Sequence, residues 1–224
     1  VDSKLQTTGK YRYSCINFIL LQMMVENEYK QPLNQLMEEH FFKRLGMSTA
    51  GYNPRERVDS TLIVPSEHDR FLRKQLLRGY VHDEAAAFKG GVSGNAGMFS
   101  NANDLAKELQ LFLNSGEYGG ERYLSKSVCR LFTDSKSPTS RRGLGFDKPD
   151  PKNLRSSPCG ELAPASVYGH TGFTGTCFWN DPDNQIIYIF LSNRVTPSRT
   201  NSKLFSLEIR TRIQDKIYEA LQRE

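Results

Sequence analysis

Hydrophobic positions keep a helical rhythm near both ends and in the middle of this chain, and a strand rhythm only once. Ile16, Ile19, Leu20, Met23 and Met24 recur at helical intervals, predicting a helix over 14–28 with Met23 and Met24 in the core. A second helix follows: Pro32 takes a first-turn position, Leu33, Leu36, Phe41 and Leu45 follow, and Gly46 supplies the stop. Residues 51–87 are mixed, charged and turn-rich, and read as surface loop with a short helix over 67–77. A glycine-dense loop occupies 90–97, after which Ser100 or Asn101 caps a helix through Leu113. Leu105, Leu109, Leu111 and Phe112 are its apolar residues, and Asp104 sits in the first turn where the dipole favours a carboxylate. A short helix is predicted over 125–132, then loops over 135–165 around a short strand at 143–146. The strand rhythm comes next: runs at 174–179 and 185–192, joined by the turn Asp181-Pro182-Asp183-Asn184, with Trp179 read as core. Leu204, Leu207, Ile213, Ile217 and Leu221 then predict one long amphipathic helix. Without repeats or a clear linker, the pattern reads as a single α+β domain over 1–224.

Composition narrows the function classes. A chain of 224 residues, 38% hydrophobic and 25% charged, is long enough for a sizeable core and has ordinary globular composition. Its net charge of +5 is spread out, and short clusters at Arg141-Arg142 and from Arg194 to Lys203 read as solvated surface. No basic stripe interleaves with aromatics, so nucleic acid is not an expected partner. The apolar run from Ile16 to Val25 is broken by Asn17 and Gln22 and is too short to span a bilayer, so no transmembrane segment is expected. The four cysteines, Cys15, Cys129, Cys159 and Cys177, form no C-x-x-C pair and no metal-ligand spacing. His82-Asp83-Glu84 are adjacent and cannot all face one ion in regular structure, so a hydrogen-bonding loop near a cleft is the better reading. No metal and no cofactor is expected.

The candidate chemistry lies at opposite ends of the chain. His170-Thr171-Gly172, just before the hairpin, offers an imidazole that can donate or charge, a hydroxyl, and a glycine that lets a ligand approach the backbone. Tyr13-Ser14-Cys15 opens the first helix. A phenol there can have its anion stabilised by the helix dipole and act as a general base, or it can simply pack. The glycine loop is not a phosphate cradle, because no Lys-Ser/Thr follows it and its spacing misses the dinucleotide pattern. Close packing or tight approach to a ligand explains it better.

Together these segments resemble the serine β-lactamase and penicillin-binding-protein superfamily, in the branch of class C β-lactamases, DD-peptidases and esterases. Tyr13 to Leu21 is similar to that branch's Tyr-Ser-Asn/Asp segment and following helix. Residues 90–100 with Asp104-Leu105 resemble its glycine loop and next helix, and Tyr168 to Gly175 its Lys/His-Thr-Gly strand. The resemblance implies a β-lactamase/transpeptidase-like fold, an antiparallel sheet packed with helices. It also implies an acyl-enzyme mechanism on a small acyl substrate: a peptide, an ester or a β-lactam. By position, Tyr13 would belong to the proton relay and His170, Thr171 and Gly172 to the substrate-recognition strand. Thr174 would contribute a strand-side amide to the oxyanion hole.

Two departures shape the expectation. No lysine in the sequence has a serine three places before it, so the family's Ser-x-x-Lys nucleophile is missing. The chain therefore reads as the C-terminal part of a serine hydrolase, truncated at its N-terminal side, whose sheet is completed by the missing segment or by another copy. Cys15 stands where the family has an amide or carboxylate, and a thiol cannot reproduce those bonds. The alternative is a catalytically inactive module that binds cell-wall fragments or a protein partner. By resemblance the setting is the bacterial cell envelope or periplasm.

Overall fold

The structure, a computed structural model, describes residues 11–150, 152–153 and 157–222. Helix α1 (Ile16–Tyr29) is followed by α2 (Leu33–Met37), which runs on into a π-helical turn over Glu38–Phe42. Pro32 precedes α2 in extended conformation, where its missing N–H costs nothing, and Gly46 ends the segment at φ 65°. Phe42, Leu45, Met47 and Ala50 pack with Leu111 into one core cluster.

Met23 and Met24 correct the expectation for α1: they are 55% and 66% exposed rather than core. The helix is apolar nearly all round, so helical spacing defined no single inward face. Its buried side chain is Gln22.

No helix forms over 67–77. Strands β1 (His68–Asp69) and β2 (Gln75–Leu76) pair there as an antiparallel hairpin. The Asp69 carboxylate accepts the backbone N–H groups of Phe71, Leu72 and Arg73, which turns the chain back on itself. Helix α3 (Glu84–Phe88) is capped by Asp83, and α4 (Ala102–Leu113) by Asn101, whose side chain accepts the Asp104 N–H at 2.8 Å. Asp104 turns inward, where its carboxylate accepts from the Thr49 amide and hydroxyl at 2.7 Å each. A small hairpin of β3 (Glu117–Tyr118) and β4 (Glu121–Arg122) precedes α5 (Lys126–Asp134), capped by Ser125.

The expected strand at 143–146 is instead a turn, in which the Gly143 N–H donates to the Phe146 carbonyl. Asp147, one residue on, makes an isolated antiparallel bridge to Gly169. The main sheet comprises β5 (Tyr168–Thr171), β6 (Cys177–Asp181) and β7 (Ile186–Phe190) in the order β5-β6-β7, antiparallel throughout. Asp181 caps the β6–β7 turn by accepting from the amides of Asp183 and Asn184. Trp179, 1% exposed, packs with Cys159, Val167, Cys177 and Tyr188 in a second core cluster.

Helix α4 joins the two clusters: Leu111 packs in the first, and the Leu109 carbonyl accepts from Asn180 of β6 at 2.9 Å. The long C-terminal helix is split into α6 (Lys203–Ser206) and α7 (Ile209–Leu221). Glu208 between them is left-handed at φ 51°, which no continuous helix permits. Ile217 of α7 packs on the sheet cluster and Tyr218 donates to buried Asp181 at 2.8 Å. The result is α+β. The four cysteines are free thiols, and no described helix is long and apolar enough to cross a membrane.

Candidate functional site

Both candidate segments meet at one guanidinium. Arg142 donates to His170 Nε2 at 2.7 Å, and its guanidinium carbon lies 5.4 Å from the centre of the Tyr13 ring. Strand β5 presents His170 because Asp147, on the loop after the Gly143 turn, pairs through its backbone with Gly169: N–H to carbonyl at 2.7 Å one way and 3.0 Å the other. That bridge brings Arg141 and Arg142 alongside the strand. The Asp147 carboxylate is fully buried and pairs with Arg141 Nε at 2.8 Å and with Arg142 Nη2 at 3.2 Å. The arginine pair is therefore not the solvated cluster expected, and the Arg142 side chain is only 18% exposed. A fully buried carboxylate needs such partners, because unpaired burial of a charge is costly.

This geometry fixes the state of His170. A guanidinium only donates, so Nε2 is the acceptor. Nδ1 then carries the proton and donates to the Thr171 carbonyl at 2.9 Å. Burial, followed by the neighbouring Arg142 charge, pushes the imidazole pKa below its ordinary value, against the raising effect of the Thr171 bond. His170 is thus a neutral Nδ1–H imidazole.

Tyr13 lies two residues ahead of the Cys15 cap of α1 and is 60% exposed. Partial burial pushes its phenol pKa up, Cys15 adds to that, and Arg142 works the other way. The expected depression by the helix dipole is therefore not what governs this phenol; Arg142 is the nearby group that favours its anion.

Thr171 ends β5. Gly172 and Thr174 lie beyond it, in the turn leading to β6. The Gly172 N–H donates to the Thr176 carbonyl at 2.8 Å, and a Cβ at Gly172 would meet the Thr176 hydroxyl at 2.3 Å. Thr176, rather than a ligand, fills the space this glycine leaves. The Thr174 carbonyl accepts the Arg194 N–H at 2.9 Å.

The loop at 82–84 reaches the same strand end. The His82 ring stacks on Phe173 at 5.3 Å between centroids, while Nε2 meets Glu67 at 2.8 Å. Asp83 caps α3 and Glu84 pairs with Arg199 at 2.8 Å, so the three residues face three different partners. Among the described residues no cluster fit for a metal ion occurs. Arg199 also pairs with Glu67, and Arg194 lies over Phe173 and Phe205, so these two arginines are tied down, while Lys203 of the same cluster is exposed as expected.

The glycine loop clamps α1. The Gly94 N–H donates to Gln22 Oε1 at 3.1 Å, and Gln22 Nε2 donates to the Val92 carbonyl. A Cβ at Gly94 would lie 2.2 Å from the Phe18 carbonyl oxygen, so close packing explains this glycine.

Arg142 and Asp147 were missed in the sequence. Their one signal was an arginine doublet five to six residues before an acid, inside a stretch without periodicity.

A putative D-alanyl-D-alanine carboxypeptidase of Escherichia coli (strain K12) is 32% identical over 98% of this chain, and the chain spans 55% of that protein. A β-lactamase structure from Mycobacterium bovis matches 94% of this chain and 64% of its own, with a TM-score of 0.63 at 18% identity. A penicillin-binding-protein homologue from Caulobacter crescentus matches 78% of this chain and 50% of its own, with a TM-score of 0.53 at 17% identity. These likenesses carry the fold, which is β-lactamase/penicillin-binding-protein-like. The family model described as Beta-lactamase matches residues 4–209, and the chain belongs to that family.

Proposed function

We propose that this chain is the cleft-forming C-terminal part of a serine hydrolase of the DD-peptidase or esterase type. In this reading the acyl-enzyme nucleophile lies in a Ser-x-x-Lys segment outside these 224 residues. The observation that carries the proposal is the meeting of Tyr13 and His170 on Arg142, residues far apart in sequence. Tyr13 relays the nucleophile's proton, Arg142 favouring its phenolate. His170 and Thr171 orient the substrate at the end of β5, beyond the Asp147–Gly169 bridge, and the turn at Gly172 to Thr174 closes the oxyanion side. The absence of Ser-x-x-Lys and the 55% span of the E. coli relative support a nucleophile supplied from elsewhere. That relative's name supports a small peptide with a terminal D-alanine as substrate, in a bacterial envelope setting.

Labelling with a fluorescent penicillin or a fluorophosphonate tests this. The 224-residue chain alone should not label. A longer product that adds a Ser-x-x-Lys segment should, and Tyr13→Phe should slow its labelling by about 10²-fold or more. Undiminished labelling of the Tyr13→Phe variant would remove Tyr13 from the relay. No labelling of the longer product would favour the inactive binding module, for which Cys15 at the family's amide or carboxylate position is the supporting feature.

A further inference from the structure

The β1–β2 hairpin is held more firmly than a surface turn requires. The buried Asp69 carboxylate accepts the successive amides of Phe71, Leu72 and Arg73, and pairs with Arg73 Nε at 2.7 Å. The same guanidinium reaches back to donate to the Val81 and His82 carbonyls. These bonds fix the tip at 70–74 and hold the Phe71 ring outward, 84% exposed, with Leu72 exposed beside it. Along the ribbon His68 faces Leu76 in register, and both are exposed. Burying a phenylalanine is among the larger gains open to a side chain, so a loop whose hydrogen bonds keep one in water is shaped for a contact outside the molecule. Charge selects that contact. Between His68 and Leu76 the exposed charges are Arg70 and Lys74, while the one carboxylate, Asp69, is buried and paired with Arg73. Among the described residues neither Arg70 nor Lys74 enters an ion pair.

We propose that this hairpin docks on an anionic phospholipid surface, Phe71 and Leu72 entering the boundary between headgroups and acyl chains and Arg70 and Lys74 meeting the phosphates. An aromatic and an aliphatic side chain at a protruding tip, flanked by cations without carboxylate partners, match the chemistry of such a surface. A single tip offers little area for a specific protein contact, whereas a lipid surface accepts it without a matching hollow. Because the tip is ordered beforehand, docking gives up little conformational freedom. The inference does not rest on the catalytic reading, but it orients the molecule. Arg73 holds the His82 carbonyl and the His82 ring stacks on Phe173, so the docked hairpin lies beside the turn that follows β5.

Co-sedimentation with vesicles tests this, using the 224-residue chain and the longer product. Both should bind vesicles of equimolar phosphatidylglycerol and phosphatidylcholine at least about tenfold more tightly than vesicles of phosphatidylcholine alone, and added salt should erode the difference. Phe71→Ser should weaken binding by about tenfold or more, and Arg70→Glu combined with Lys74→Glu should abolish the preference for anionic vesicles. These side chains are exposed, so the circular dichroism of each variant should match wild type. Phe71→Trp gives a direct readout: its emission should move to shorter wavelength on anionic vesicles while that of buried Trp179 stays constant. Binding that persists in Phe71→Ser but falls in Met24→Glu would place the membrane contact on the apolar face of α1 and overturn the inference. A wild type that binds neither vesicle would overturn it too. Self-association lost in Phe71→Ser, without vesicle binding, would overturn it by making the tip a contact between copies.

Discussion

At the scale of single residues, contact distances decide which substitutions matter. A methyl group at Gly94 would sit 2.2 Å from the Phe18 carbonyl, and one at Gly169 would sit 2.0 Å from the Phe178 carbonyl, so backbone must move in either case. Gly94→Ala should therefore destabilise the chain by about 1–3 kcal/mol and shift α1. Urea unfolding measures the first, and the Tyr13 contact with Arg142, followed by NMR, reports the second. Glu67 supplies a pH-dependent contribution. Burial works against its charge, but hydrogen bonds from Arg199 and His82 overcome that and bring its pKa down to about 2. A depressed carboxylate pKa stabilises the fold above the unfolded value of about 4.5, and that stability fades as pH falls towards 2. Unfolding free energies at pH 6 and pH 3 should differ by up to about 2 kcal/mol from this group. Glu67→Gln should lower stability at pH 6 and flatten the dependence. A slope unchanged in that variant would assign the acid sensitivity elsewhere.

At the scale of elements, α1 shows where hydrophobic spacing misleads. A helix apolar on nearly all sides satisfies the three- and four-residue rhythm in every direction, so its inward face is set by a polar contact, Gln22 to the glycine loop. Substituting Met24 by Glu on the exposed face should change stability by no more than about 0.5 kcal/mol and reduce binding of an apolar dye. A large loss of stability would mean that this face packs against something. The helix whose cap was legible, α4 on Asn101, formed at the expected place, because a side chain satisfying a terminal N–H is a local event. The β1–β2 hairpin was not legible for the converse reason. One carboxylate, Asp69, gathers three successive amides, and that competes with a helix in a way periodicity does not register. The break at Glu208 was equally hidden, since no glycine or proline marks it.

At the scale of the whole molecule, the two core clusters are joined by α4 and by the bond from Asn180 to the Leu109 carbonyl. If residues 1–224 are one cooperative unit, fluorescence of the single, buried Trp179 and far-UV circular dichroism should report the same unfolding midpoint. Separate midpoints would mean that the clusters unfold independently. The ends of the site were readable from short motifs at Tyr13 and His170, but its centre was not. Arg142 reaches both only because Asp147 bridges Gly169, a contact between loop and strand that leaves no trace in local sequence pattern. That bridge also limits how the cleft can be altered. Asp147 fastens the strand with its main chain and the arginines with its carboxylate, so the strand and the arginine pair share one anchor. Mutating either arginine would therefore disturb the scaffold. Directed evolution towards new acyl groups is better begun at Phe173, which is solvent-exposed in the turn and whose side chain makes ring contacts with His82 and Arg194.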